Sequence, residues 1–203
     1  MISKELIEQL GKKLADMPAQ WDGRSAILEM RDADYPHWRQ MEWIGFYFQF
    51  LCSTRLPPFM TMPGPKYGRA DFDGFAEIPW DFKAHPNKNA HGKESTSVIA
   101  NDWSATVHAV KEFGGVGVVL AGGDALYNDE DRSFQMWHNK LKGRLSMYEK
   151  QRKLRKAPSR LKKTEFRLDT IDVIVLDSAM LCTLGSFQTS VKRQESTGLP
   201  VEE

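Results

Sequence analysis

The sequence predicts an α/β fold, a central mixed β-sheet flanked by α-helices, on three observations. A run of strand-forming aromatics, ADFDGFAEIPWDFKAH (70–85), has the composition of a hairpin. Two further runs, GVGVVLAG (115–122) and EFRLDTIDVIVL (165–176), read as buried strands. Helical patterns separate them, so the order is helix, hairpin, helix, strand, helix, strand. At 203 residues the chain suits one domain, 1–187, followed by a polar tail, 188–203, that is expected to fray.

Each element has a local reason. Ile2, Leu6, Ile7, Leu10 and Leu14 fall at helical spacing over 2–17, with Ser3 near the start. A short helix is expected over 23–34, ending before Pro36. The stretch 37–56 is apolar nearly all round and stops at Pro57–Pro58, so it reads as a buried helix with Glu42 as its odd charge. Loops follow at 57–68 and 85–96. Over 95–113, Val98, Ile99, Trp103, Val107 and Val110 form one stripe, closed by Gly114–Gly115. One helix is expected over about 131–155, and the strand 165–176 comes last. No repeat or low-complexity segment is present.

Composition narrows the function classes. Apolar residues are 41% and charged residues 27%, the range of soluble globular chains. No apolar run approaches the length of a membrane helix and the first 30 residues hold no signal-type core, so no membrane partner is expected. Two cysteines, Cys52 and Cys182, exclude a disulfide framework or a four-cysteine zinc site, and a reducing cytoplasmic setting is the simplest reading. The glycines of GGVGVVLAGG match neither dinucleotide nor phosphate-loop spacing, so no nucleotide cofactor is expected. The net charge of +1 hides an asymmetry: 12 of the 28 Lys and Arg lie between Lys140 and Arg167, against Glu149 and Glu165 alone. Within that block Lys150, Arg152, Lys153, Arg155, Lys156, Arg160, Lys162 and Lys163 suit a polyanion, with a solvated helix face as the alternative.

The charges of 70–85 carry the chemistry. Side chains alternate faces along a strand, so Asp71 shares a face with Asp73, and Asp81 with Lys83. A turn over Phe75–Glu77 sets Asp71 opposite Asp81 and Asp73 opposite Pro79, with Phe72, Trp80 and Phe82 turned to the core. Asp71 is then the first choice of partner, Asp73 the alternative, and both serve if the turn is shorter. Carboxylates this close repel unless a cation lies between them, and hard oxygen donors suit Mg²⁺, with Mn²⁺ able to substitute. Gly74 directly after Asp73 excludes a calcium loop of the EF-hand kind.

Among the 27 acidic residues, Asp81-Phe82-Lys83 is the only acid-x-lysine triplet, ten positions after Asp71 and eight after Asp73. In this the chain resembles the PD-(D/E)XK nuclease superfamily, over roughly residues 38–125. The resemblance implies a restriction-endonuclease-like core, with Asp81 as second metal ligand, Lys83 as catalytic lysine, and Asp71 or Asp73 as the first acid. It departs from the family in having no proline before either candidate first acid. Many members carry a supporting glutamate on the preceding helix, which points to Glu42 here; a salt-bridged helix acid is the alternative. The implied activity is Mg²⁺-dependent hydrolysis of double-stranded DNA by a homodimeric type II restriction endonuclease. A less specific phage, repair or mobile-element nuclease and a non-catalytic nucleic-acid-binding module are the alternatives. The loop HPNKNAH has two histidines, too few for a metal site, and is expected to reach phosphates or base edges through Asn87, Lys88 and Asn89.

Overall fold

A computed structural model describes residues 2–68, 70–95 and 103–183; the tail 188–203 lies outside the described residues. The first helix, α1 (Lys4–Leu14), starts where expected: the Ser3 side chain accepts the Leu6 amide at 3.2 Å, and Leu6, Leu10 and Leu14 are buried. Strand β1 (Gln20–Asp22) leads straight into α2 (Gly23–Asp32), whose Asp22 cap accepts the Ser25 amide at 2.8 Å.

The expected helix 37–56 divides in two. Pro36–Arg39 forms one 3₁₀ turn, and α3 runs from Trp43 to Arg55. Gln40 and Glu42 take non-helical backbone angles between them, so Glu42 sits ahead of the helix rather than inside it. The interior of α3 supplies much of the core: Trp43, Phe48, Leu51 and Cys52 are all buried. Burying each large side chain stabilises the fold by about 2 kcal/mol.

A two-stranded ribbon, β2 (Lys66–Tyr67) and β3 (Ala70–Asp71), precedes β4 (Gly74–Ala76) and β5 (Ile78–Pro86). Helix α4 (Trp103–Phe113) follows, then β6 (Val116–Leu126), α5 (Ser133–Leu141), α6 (Met147–Leu154), β7 (Glu165–Leu176) and α7 (Ser178–Thr183). The main sheet has the order β1-β7-β6-β5-β4, with β5 and β6 parallel and every other neighbour antiparallel. The mixed α/β class read from the sequence is thus correct, and β7 has the bounds expected of it.

The two faces of the sheet are treated differently. Trp80, Phe82, Val119 and Ala121 point into the core with α1, α2 and α3. Gly117 lies opposite Trp80 on this face because a Cβ there would fall 2.2 Å from the indole. Phe72, Ala109, Val110 and Val116 form a second cluster under α4. That helix buries Ala105, Thr106, Ala109 and Val110, so the expected stripe is rotated: Trp103 and Val107 are half-buried, and Val98 and Ile99 lie outside the described residues. Small side chains let α4 approach the sheet closely.

The single helix expected over 131–155 is two helices. Gly143 takes φ +69° and ends the first, and Ser146 restarts the chain by accepting the Glu149 amide at 3.1 Å. Helix α5 docks on the core through Phe134 and the fully buried His138, whose Nε2 bonds the Trp38 carbonyl at 3.0 Å. Among the described residues no helix is long and apolar enough to cross a membrane.

Candidate active site

The turn between β4 and β5 sets the site. Ala76 pairs with Ile78, Phe75 with Pro79 and Gly74 with Trp80, so the turn centres on Glu77 alone, one residue later than the sequence suggests. Asp71 therefore does not face Asp81, and Asp73 does not face Pro79. Glu77 takes φ +58°, and its carboxylate accepts the Ser3 amide at 3.0 Å and the Ser3 hydroxyl at 2.6 Å. A contact from the start of α1, 74 residues away, thus holds the register.

With that register it is Asp73 that reaches β5. Its amide donates to the Trp80 carbonyl at 2.9 Å, and its carboxylate accepts the Phe82 amide at 2.7 Å. Asp71 lies instead in β3, on the exposed ribbon, with Lys66 at 2.9 Å. Asp81 and Lys83 share one face of β5 as expected, 3.4 Å apart, Asp81 buried and Lys83 a quarter exposed. Burial pushes the Asp73 carboxyl above the usual range, against the opposing pull of the Phe82 amide and Lys83. Asp73, bonded to the Phe82 amide, and the Asp81–Lys83 pair thus lie along the same stretch of β5.

Sequence reasoning passes over Gln49. It projects from α3 and donates to the Asp73 carboxylate at 3.2 Å and more loosely to the Phe82 carbonyl at 3.5 Å. Glu42 takes no part at this edge: its exposed carboxylate is ion-paired with Lys163. The signal for Gln49 is present, since it is the one polar residue in FYFQFL, the same criterion that draws attention to Glu42.

Toward the carboxyl ends of β5 and β6 the Asp81–Lys83 face opens into a groove of about 430 Å³, lined among others by His85, Asn87, Lys88, Thr170 and Asp172. The His85 ring nitrogen lies 2.9 Å from the Ser95 carbonyl, and Asn89 closes the loop by accepting the His91 amide at 2.9 Å. Tyr127 donates to the Lys88 carbonyl at 3.3 Å and ties this loop to the segment leading into α5. The loop of Asn87, Lys88 and Asn89 and the segment leading into α5 therefore stand at the same end of the sheet.

The basic block is not uniform. Lys150, Lys153, Arg155, Lys156 and Arg160 are exposed, and Lys162 is half-buried. Arg152 is turned inward, where it holds the buried Glu149 carboxylate at 2.5 Å and the Ala157 carbonyl at 2.5 Å. Lys163 is committed to Glu42.

Among the described residues no group of three or more His, Cys, Asp or Glu side chains is close enough to hold a metal ion. Two carboxylates are nonetheless a sufficient donor set for Mg²⁺, which keeps most of its waters and takes further oxygens from a phosphate. The raised Asp73 carboxyl is the structural observation that fits a cation, because a buried charge gains most from a counter-ion. Burial of that charge opposes folding at neutral pH. Asp73→Asn keeps an acceptor for the Phe82 amide and removes the charge, so its melting temperature at pH 7 is expected to equal or exceed that of the parent in thermal denaturation. A clear loss of stability would show that the charge itself holds the hairpin.

Comparison with known proteins finds no matching family model, no matching curated protein and no matching solved structure.

Proposed function

We propose that the chain is a Mg²⁺-dependent endonuclease of PD-(D/E)XK type acting on double-stranded DNA, most simply a type II restriction enzyme working as a homodimer in the cytoplasm. The observation that carries this reading is Asp73 bonded to the Phe82 amide next to the Asp81–Lys83 pair on β5, with a groove lined by His85, Asn87, Lys88 and Asp172 toward the strand's carboxyl end. Asp73 and Asp81 are the residues that would hold Mg²⁺, or Mn²⁺ in its place. When bound, the ion would supply charge neutralisation at phosphate oxygens and acidification of a bound water. Lys83, held at Asp81, would stabilise negative charge developing on the phosphorus oxygens or orient the attacking water. Gln49 orients the Asp73 carboxylate from behind.

Exposed Lys150, Lys153, Arg155, Lys156 and Arg160, together with Lys88 and its asparagine neighbours at the groove, would bind DNA phosphates. Neutralising Lys150 and Lys153 together is expected to weaken DNA binding and lower the salt slope by about one per lost contact. Thermal stability should not change. Arg152→Ala should do the reverse, lowering the melting temperature by leaving Glu149 buried without its partner. Fluorescence anisotropy across a salt series, paired with thermal melts, checks both; equal behaviour of the two variants would remove the distinction.

Incubation with plasmid DNA in about 10 mM Mg²⁺ tests the activity on a gel. Discrete fragments support restriction, and a smear supports a less specific nuclease. Retained binding without cutting would replace the enzyme by a nucleic-acid-binding module.

A further inference from the structure

The edge of the sheet at β7 is uncovered over most of its length among the described residues. β1 pairs only with Glu165–Arg167, and Leu168 donates one more bond to the Ala19 carbonyl. Among the described residues no strand lies alongside Asp169–Leu176, a span of about 26 Å at 3.3 Å per residue. The uncovered stretch begins where a register shift at Gly122/Gly123 interrupts the pairing with β6.

The sequence of that stretch does little to protect it. Exposed edges are commonly blunted by lysine, proline or a bulge in mid-strand. Ile171–Leu176, IDVIVL, holds four β-branched residues and Asp172 as its single charge. On the core face Ile171, Val173 and Val175 are only half-buried. Opposite them α1 leaves a trough in two parts. One, of about 310 Å³, lies between Gly11, Leu14, Leu168, Ile171 and Val173. The other, of about 500 Å³, lies between Ile2, Ile7 and Val175. An unpaired strand edge beside an apolar helix-walled trough is the geometry that accepts an added strand.

We propose that the added strand is β7 of a second copy of this chain, antiparallel to the first about a twofold axis at Val173. In that register Ile171 faces the partner's Val175, Val173 faces the partner's Val173, and Val175 faces the partner's Ile171, all on the helix side. The half-buried apolar stripe then covers itself, as a twofold interface requires. Asp172 falls opposite the partner's Ile174, whereas a register one residue earlier would set Asp172 against its own copy; at the two ends Asp169 comes opposite the partner's Asp177, with Arg167 at 3.4 Å from Asp169 to offset that charge. A net charge of +1 leaves little overall repulsion between copies.

The axis stands perpendicular to the sheet, so both Asp81–Lys83 faces look the same way. Five strand spacings separate the two β5 strands, about 24 Å before twist. The pairing gives the nuclease proposed above its second site and in that sense rests on that reading, but its test needs neither DNA nor metal, so each can fail alone.

Sedimentation velocity of the full chain up to about 100 µM reads the association, which is roughly nine-tenths formed there for a dissociation constant near 1 µM. A dimer is expected, weakened about 100-fold or more by Val173→Lys, which sets two ammonium groups face to face. Because Val173→Lys can also disturb folding, a second variant carries the register. Val173→Cys, on a chain with Cys182→Ser, should form an intermolecular disulfide under oxidation, and Asp172→Cys on the same background should not. A monomer at every concentration would overturn the proposal and leave the edge to residues 184–203 of the same chain or to a foreign peptide. A dimer that resists Val173→Lys, and that yields no cross-link in the Val173→Cys variant, would overturn it equally by placing the interface elsewhere.

Discussion

Asp81→Asn and Lys83→Ala are each expected to lower Mg²⁺-dependent DNA cleavage by about 10³-fold or more, a loss of about 4 kcal/mol of transition-state stabilisation. Binding to the same DNA, measured without metal, should stay within about threefold of the parent, because the proposed phosphate contacts lie elsewhere on the surface. Both side chains are held in place by the strand that carries them. Trp80 and Phe82 anchor β5 in the core on either side of Asp81, so the two variants should keep the parent's circular dichroism. Asp71→Ala is the internal control: Asp71 lies on the exposed ribbon with Lys66, and its loss should leave cleavage unchanged. Full activity in Asp81→Asn, or a dead Asp71→Ala, would remove the site from this edge of β5.

Acid should destabilise the protein through His138, by about 3 kcal/mol. The ring is fully buried among Trp38, Phe134 and Trp137, its Nε2 bonds the Trp38 carbonyl, and its Nδ1 has no hydrogen-bond partner among the described residues. Burial, with the nearby Lys142 ammonium adding to it, depresses the imidazole from 6.5 to about 4. The folded state therefore holds the ring neutral where the unfolded chain would protonate it. Stability is full above the unfolded value of about 6.5, falls as the pH drops below it, and levels off beneath the folded value of about 4. Urea titrations at half-unit pH steps should show this slope in the parent. His138→Gln, which keeps a donor for the Trp38 carbonyl, should lack it. An unchanged slope would mean that other groups dominate acid unfolding.

How far the sequence reached is clearest residue by residue. Ser3 as the cap of α1, the strand 165–176 and the placement of Asp81 and Lys83 on one face all rest on short-range geometry, and all hold. The break between α5 and α6 was legible too, in Gly143 and the Ser146-x-x-Glu149 capping pattern, and the continuous basic composition concealed it. The basic block could not be divided from sequence, because inward Arg152 and outward Lys153 are chemically alike and only packing separates them.

The mixed α/β class and the shared face of Asp81 and Lys83 were legible in the chain alone, since a period of two needs no distant information. Which acid joins them was decided by tertiary structure alone. A shift of one residue in the turn exchanges Asp71 for Asp73, and Glu77 at that turn bonds to Ser3, 74 residues earlier in the chain. The same holds for Gln49 over Glu42, because which residue of a helix meets a strand depends on how the two pack, not on either one alone.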